Sequence, residues 1–104
     1  MGRIKVAPSA GDDLAHLITF LKLPRNTRTR VKASIRPLAA APEAGTALTG
    51  RWQGFRYILG PWDWMVIVYA YDPGKDQVNV VTIQDVRTGD AATGNGDRDT
   101  EARR

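Results

Sequence analysis

The chain has 104 residues, 42% of them hydrophobic, which gives room for one domain with one modest hydrophobic core. The absence of cysteine excludes disulfide frameworks, cysteine-liganded zinc sites and thiol nucleophiles. The net charge is +4 at pH 7, and a basic surface favours a polyanionic partner such as nucleic acid. No apolar run approaches the ~20 residues of a membrane span and no apolar signal sequence is visible, so we expect a cytoplasmic protein.

Two regions of the chain differ in composition. Residues 1–88 carry 12 basic and 7 acidic side chains, a net charge of +5. Residues 89–104 carry a net charge of −1 and no large apolar side chain. Such a segment cannot bury enough surface to offset the entropy that it would lose on ordering. We therefore expect one folded domain over residues 1–88 and a disordered polar tail over residues 89–104.

The beginning of the domain predicts a short strand and a first helix. Weak alternation of apolar and charged residues over residues 3–6 is typical of a strand. Ser9, with Asp12 three residues later, resembles a capping box that begins a helix. Apolar residues then recur on one helical face, which predicts a helix over residues 10–21.

A second helix is expected after Asn26 or Thr27, either of which can cap it. Pro37 lacks an N–H and disfavours helix at the residue before it, so we expect a kink there or two short helices. Basic residues recur at spacings of three and four along one side of this helix. They are Arg25, Arg28, Lys32 and Arg36. This side is either a solvated helix face or a surface that binds phosphates or acidic side chains.

The second half of the domain changes to the two-residue period of β-strands. Strands are predicted over residues 53–59, 62–71 and 77–86, with turns at Gly60-Pro61 and at residues 72–76. Consecutive strands joined by short turns form an antiparallel meander. With two helices packed on one face of this sheet, the domain is predicted to belong to the α+β class.

Arginines occur at three places along this meander. In the first strand, the two-residue period puts Tyr57 and Leu59 on the core face and Arg56 on the opposite face. An arginine that faces out of a sheet can bind phosphate or stabilise charge that develops on it. Arg51 precedes this strand and Arg87 ends the last one, so the three side chains either converge on one sheet face or are separate surface charges.

The sequence lacks the motifs of several common enzyme sites. There is no glycine-rich phosphate loop with its lysine and no His/Asp/Glu cluster with metal-ligand spacing, so we expect no metal and no cofactor. His16 is the only histidine, and we expect it on the surface of the first helix. Trp62 and Trp64 share one strand face, where they either pack in the core or stack on nucleic-acid bases.

The order of these elements, together with several short motifs, resembles the RelE/ParE superfamily of bacterial toxins. The resemblance covers about residues 3–88. The motifs that carry it are Leu23-Pro24-Arg25, Ala47-Leu48-Thr49-Gly50, Gly54-Phe55-Arg56-Tyr57-Ile58-Leu59-Gly60, Val66-Ile67-Val68-Tyr69 and Val80-Val81-Thr82-Ile83. Their order along the chain, rather than any single motif, makes the resemblance specific.

The resemblance implies a toxin that a cognate antitoxin protein holds inactive, commonly by wrapping it with a helix or adding an edge strand. In the RelE-like branch, the toxin enters the ribosomal A site and cuts mRNA without a metal. The 2′-hydroxyl attacks the adjacent phosphate, and basic side chains stabilise the transition state. In the ParE-like branch the target is DNA gyrase, and no RNA chemistry is known to be required.

By this resemblance, Arg56 and Arg87 are the phosphate-stabilising pair with Arg51 assisting, and the basic second helix contacts RNA or the antitoxin. The chain also departs from the family pattern. Met65 and Ile58 stand where the family often has basic residues, and no tyrosine or histidine follows Arg87. Fewer cationic groups imply weaker stabilisation of a phosphate transition state, by about 2–4 kcal/mol for each lost group.

Three hypotheses of function remain open at this point. The first is a RelE-like ribosome-dependent mRNA endoribonuclease, with Asp63 or Asp85 as the candidate proton acceptor, since arginine stays protonated. The second is a module with the same fold that inhibits gyrase or only binds its antitoxin, as the missing basic positions favour. The third is an unrelated small RNA-binding protein with a basic sheet, which would lack the two packed N-terminal helices.

Overall fold

A five-stranded mixed sheet is the frame of the molecule in the computed structural model, which describes residues 2–87. The strands are β1 Arg3–Val6, β2 Thr46–Ala47, β3 Arg56–Leu59, β4 Met65–Asp72 and β5 Gln77–Asp85. Their order in the sheet is β1-β5-β4-β3-β2, with β1 parallel to β5 and the other neighbouring pairs antiparallel. The predicted α+β class is confirmed, and the two-residue β2 is an addition to it. The predicted tail lies outside the described residues.

Two helices separate β1 from the meander: α1 spans Pro8–Leu21 and α2 spans Thr27–Ile35. Proline fits the first turn of α1, because its missing N–H would have no partner there. Helix α2 passes directly into a 3₁₀ turn at Arg36–Ala39, so the division predicted at Pro37 is confirmed. No helix within residues 2–87 is long and apolar enough to cross a membrane.

Helix α1 covers the edge of β5 beyond the end of β1, which pairs only with residues 77–80. Ser9 Oγ donates a hydrogen bond to Val81 O at 2.7 Å, and the Asp13 carboxylate accepts one from Ile83 N at 3.3 Å. One helical turn advances about 5.4 Å and two strand residues about 6.7 Å. Because these distances are similar, Ser9 and Asp13, four residues apart on α1, reach Val81 and Ile83, two residues apart on β5. The capping role predicted for Ser9 is wrong, because its hydroxyl binds the strand.

The hydrophobic core lies between one face of the sheet and the two helices. Its buried residues are Ala10, Leu14, Val31, Ile35, Leu38, Met65, Ile67, Tyr69, Val78, Val80 and Ile83. They come from both helices, the 3₁₀ turn and the two central strands, so burial of this face holds the helices on the sheet.

Strand β3 presents to this core the face opposite to the one predicted. Ile58 lies opposite Ile67 and packs against the core, whereas Leu59 is 48% exposed. Arg56 shares the face of Ile58 and lies opposite the buried Tyr69. The prediction that Arg56 points away from the core face is therefore wrong. Both faces of β3 carry apolar residues, so the alternation alone could not choose between them.

Candidate functional site

Arg56 holds a loop at the far end of the sheet from β1. Its Nη1 donates hydrogen bonds to Gly45 O at 2.8 Å and to Glu43 O at 3.3 Å. From the neighbouring strand, Tyr69 Oη donates to Pro42 O at 2.8 Å and accepts from Gly45 N at 2.9 Å. Burial of the Tyr69 phenol raises its pKa, which keeps it protonated as the donor that this geometry needs. The loop before β2 is thus fixed from both strands.

A pocket of about 330 Å³ opens beside this loop, and we call it the Arg56 pocket. It is lined by Glu43, Ala47, Gly54, Phe55, Arg56, Tyr71 and Pro73. Within residues 2–87, Nε and Nη2 of Arg56 have no hydrogen-bond partner. This edge of the guanidinium is therefore available to a phosphate or carboxylate, the anions whose geometry matches its fork.

Two further polar groups line the Arg56 pocket. The carboxylate of Glu43 is on an exposed residue and can accept a proton. Tyr71 Oη donates a hydrogen bond to Asp76 Oδ1 at 2.9 Å, and this bond raises the pKa of Tyr71. Tyr71 is therefore a neutral phenol at physiological pH. The pocket combines a cation, a carboxylate and a hydroxyl.

Arg87 is engaged at the opposite end of β4. Its Nε and Nη2 donate to the two Asp85 oxygens at 2.9 and 2.8 Å, and its guanidinium lies 4.5 Å from the centre of the Trp64 ring. These hydrogen bonds lower the pKa of Asp85 and raise that of Arg87, so both groups stay charged. The Trp64 ring stacks on Trp62 with 5.6 Å between centroids, and Arg30 of α2 lies 4.7 Å over Trp62. We call this row of four side chains the tryptophan stack.

The structure does not bring the three predicted catalytic arginines together. Arg56 lies opposite Tyr69 in the sheet. Arg87 directly follows Val86, whose N–H donates a hydrogen bond to Trp64 O just before β4. Five strand residues separate these two points, about 17 Å along β4. Arg51 is exposed on the 3₁₀ turn Gly50–Trp52 and is not among the residues that line the Arg56 pocket. One phosphate cannot contact both Arg56 and Arg87, and their roles stay predictions.

The basic side of α2 borders an apolar groove between β1, α1 and α2, which we call the basic groove. Two adjoining cavities of about 300 Å³ each form it. Val6, which is 47% exposed, lines both cavities, and Ile35 lies between them. Arg28 and Lys32 border one cavity, and Lys32 and Arg36 border the other. Arg25 is exposed but lines neither.

Sequence reasoning missed Glu43, Tyr71 and Arg30 as site residues. Glu43 lies in an irregular loop, where no period fixes the direction of a side chain. The two tryptophans were a signal for the stack, but they lie in the turn before β4 rather than in the predicted strand. Within residues 2–87, no group of three or more histidine and acidic side chains is arranged to hold a metal ion.

No family model and no curated protein matches the sequence of this chain, but solved structures match its fold. A chain of the toxin–antitoxin complex RelBE2 from Mycobacterium tuberculosis has a TM-score of 0.61 and 19% identity, over 81% of this chain and 96% of that chain. A chain of the E. coli RelBE toxin–antitoxin complex has a TM-score of 0.58 and 15% identity, over 82% and 96%. A chain of the chromosomal ParDE system from P. aeruginosa has a TM-score of 0.62 and 14% identity, over 83% and 97%.

Proposed function

Since this chain has the fold of the RelE/ParE toxins, we propose that it is the toxin of a type II toxin–antitoxin system. Two of the solved structures it resembles are toxin–antitoxin complexes, which supports a protein antitoxin as its partner. The basic groove suits such a partner, because its apolar floor can bury an amphipathic segment and its rim of Arg28, Lys32 and Arg36 can pair with acidic side chains.

A selection tests the antitoxin proposal. The chain is expressed from an inducible promoter in a bacterium, and fragments of the source genome are screened for those that restore growth. A rescuing gene should encode a protein that copurifies with the chain. Lys32→Glu reverses one charge on the rim, so this variant should remain toxic and escape rescue. Rescue of Lys32→Glu at the wild-type level would contradict docking in the basic groove.

For the activity, we propose RNA cleavage in the Arg56 pocket. The observation that carries this proposal is that Arg56, whose Nε and Nη2 make no hydrogen bond within residues 2–87, lines the same pocket as Glu43 and Tyr71. A guanidinium held by two backbone carbonyls needs little reorganisation to receive a phosphate, and such preorganised donors act most strongly where charge develops.

In the proposed reaction, side chains of the Arg56 pocket carry out both proton transfers, and no metal ion is needed. The 2′-hydroxyl oxygen of the substrate bonds to the adjacent phosphorus, and Glu43 takes its proton. The bond from phosphorus to the 5′-oxygen breaks, and that oxygen receives a proton from Tyr71, whose hydroxyl must first turn from Asp76 Oδ1 to the 5′-oxygen. Arg56 stabilises the charge on the two remaining phosphate oxygens. The products are a 2′,3′-cyclic phosphate and a free 5′-hydroxyl.

Gyrase inhibition is the second candidate activity, and the positions of Met65 and Ile58 favour it. Met65 is fully buried and Ile58 packs against the core, so the positions where the family often has basic residues face the interior. Arg87 is paired with Asp85 and lies too far away to help Arg56. Without these cations the pocket has one guanidinium for the transition state, whereas a binding surface needs no such convergence.

Inducible expression with two readouts separates the candidates. Growth arrest with new mRNA 5′ ends, confined to translated copies of a transcript, supports ribosome-dependent cleavage. Growth arrest with DNA cleavage complexes or an SOS response, and without new mRNA ends, selects gyrase. Unimpaired growth at confirmed expression would contradict both activities.

A further inference from the structure

The tryptophan stack carries an inference beyond the Arg56 pocket. Its four members come from three separate parts of the fold: Arg30 from α2, Trp62 and Trp64 from the turn before β4, and Arg87 from the end of the described chain. The two indole rings are nearly parallel, at 12°, and both pack partly against the core. The rings are thus held by the interior, while an arginine covers each end of the row.

Arg30 differs from Arg87 in the state of its donors. Nε and Nη2 of Arg87 already donate hydrogen bonds to the Asp85 carboxylate. Within residues 2–87, the side chain of Arg30 makes no hydrogen bond and no ion pair. The guanidinium carbon of Arg30 lies 4.7 Å from the centre of the Trp62 ring, a cation–π contact that uses none of its N–H groups. Such a group is preorganised for a bidentate oxyanion.

The stack offers these donors but no aromatic face. Each ring already has two neighbours: Arg30 and Trp64 lie against Trp62, and Trp62 and Arg87 lie against Trp64. A nucleic-acid base could stack on either ring only by displacing an arginine or separating the two indoles. Recognition here would therefore be of the phosphate backbone, without preference for base sequence.

We infer that Arg30, placed over the Trp62 ring, is a phosphate-binding site for the backbone of single-stranded RNA. This inference rests on the proposed RNA-cleaving function, which supplies the ligand. Charge favours the Arg30 end of the stack, because Arg87 at the other end is matched by Asp85 and lies near Asp63. Arg30 and Arg56 are on the helix side of the sheet, toward opposite ends of β4, so one extended strand of several nucleotides can contact both.

Binding of RNA to the purified full-length protein tests the inference. The protein carries Arg56→Ala, so that the RNA stays intact, and fluorescence anisotropy is measured with labelled 12-nucleotide oligo(U), oligo(A) and oligo(C) between 50 and 300 mM salt. Arg30→Gln should weaken binding about tenfold at low salt, by the same factor for all three sequences. The slope of log affinity against log salt should fall by about 1, as for one lost phosphate contact.

Two matched variants make the result specific. Arg3→Gln removes the same charge from an exposed position on β1 and should leave the affinity within about twofold of the parent. Arg30→Lys keeps the charge but not the planar fork, so it should keep the salt slope and bind with intermediate affinity. Circular dichroism confirms that each variant is folded.

Several outcomes would overturn the inference: equal losses for Arg30→Gln and Arg3→Gln, a loss confined to one oligonucleotide, or an Arg30→Lys affinity equal to that of the Arg56→Ala parent. Displacement of RNA by poly-glutamate at equal charge would mean a general anion-binding surface and would also overturn it. RNA binding that depends on Arg30, in a protein that cuts no mRNA in cells, would contradict the proposed cleavage and leave the inference standing.

Discussion

Arg56 and Tyr69 lie directly opposite each other on β3 and β4 and bind the two sides of the same glycine. The guanidinium donates to Gly45 O, and the phenol oxygen accepts from Gly45 N. The loop that carries Glu43 is therefore positioned by the same arginine that lines the pocket. This arrangement links the stability of the loop to the geometry of the proposed site.

Tyr69→Phe should destabilise the domain by about 1–3 kcal/mol. The substitution keeps the buried ring but leaves Pro42 O and the buried Gly45 N without the phenol. Urea denaturation measures the change in the free energy of unfolding. Tyr71→Phe is the control, since it loses only one exposed hydrogen bond to Asp76 and should cost clearly less stability than Tyr69→Phe. Equal costs for the two variants would contradict a structural role of the Tyr69 hydroxyl.

Gly45→Ala and Gly11→Ala should change stability in opposite directions. A Cβ at Gly45 would lie 2.6 Å from Tyr69 Oη and 2.7 Å from the backbone oxygen of Tyr57, so it should cost about 3 kcal/mol. A Cβ at Gly11 meets nothing within 4 Å inside α1, and alanine there should add about 1 kcal/mol. Thermal unfolding measures both changes. An unchanged Tm for Gly45→Ala would contradict the close approach of position 45 to Tyr69 and Tyr57.

Asp85→Asn should reduce the pH dependence of stability at acid pH. Hydrogen bonds from Arg87 lower the pKa of Asp85 from its ordinary value of 3.8. A lowered pKa stabilises the fold fully above that ordinary value, and the contribution is lost as the pH falls through the folded-state pKa. The wild type should have a slightly higher Tm than the variant at pH 7, and only slightly, because Arg87 is exposed and solvent screens the pair. The difference should shrink below pH 3.8, and a constant difference down to pH 2.5 would contradict the pairing.

The fold could be predicted further than the site, for a physical reason. Apolar periodicity and turn residues report burial and backbone geometry, so they predicted the α+β class and the division of α2 at Pro37. They could not orient β3, because Ile58 and Leu59 are both apolar and only the register with Ile67 decides which one is buried. They also assigned Ser9 to a helix cap, since its true partner on β5 is 72 residues away.

The site depended on contacts that no local pattern contains. The basic spacing predicted one shared side for Arg25, Arg28, Lys32 and Arg36, and the last three of these border the basic groove. The strand ends left open whether Arg56 and Arg87 converge on one sheet face, and the antiparallel register places the two positions about 17 Å apart. Sequence spacing alone does not give such a distance.

Mapping of mRNA 5′ ends after expression of wild-type protein and Arg56→Ala is the most direct test of cleavage in the Arg56 pocket. One transcript is used in two copies, with and without a start codon, and Arg3→Ala on β1 is the matched control for loss of an exposed arginine. Arg56→Lys is included as a variant that retains a charge at the pocket, and circular dichroism confirms folding. We predict cuts within the translated copy for wild type and Arg3→Ala, and at least about a hundredfold fewer for Arg56→Ala. Cuts by a folded Arg56→Ala protein at the wild-type level would contradict cleavage in this pocket.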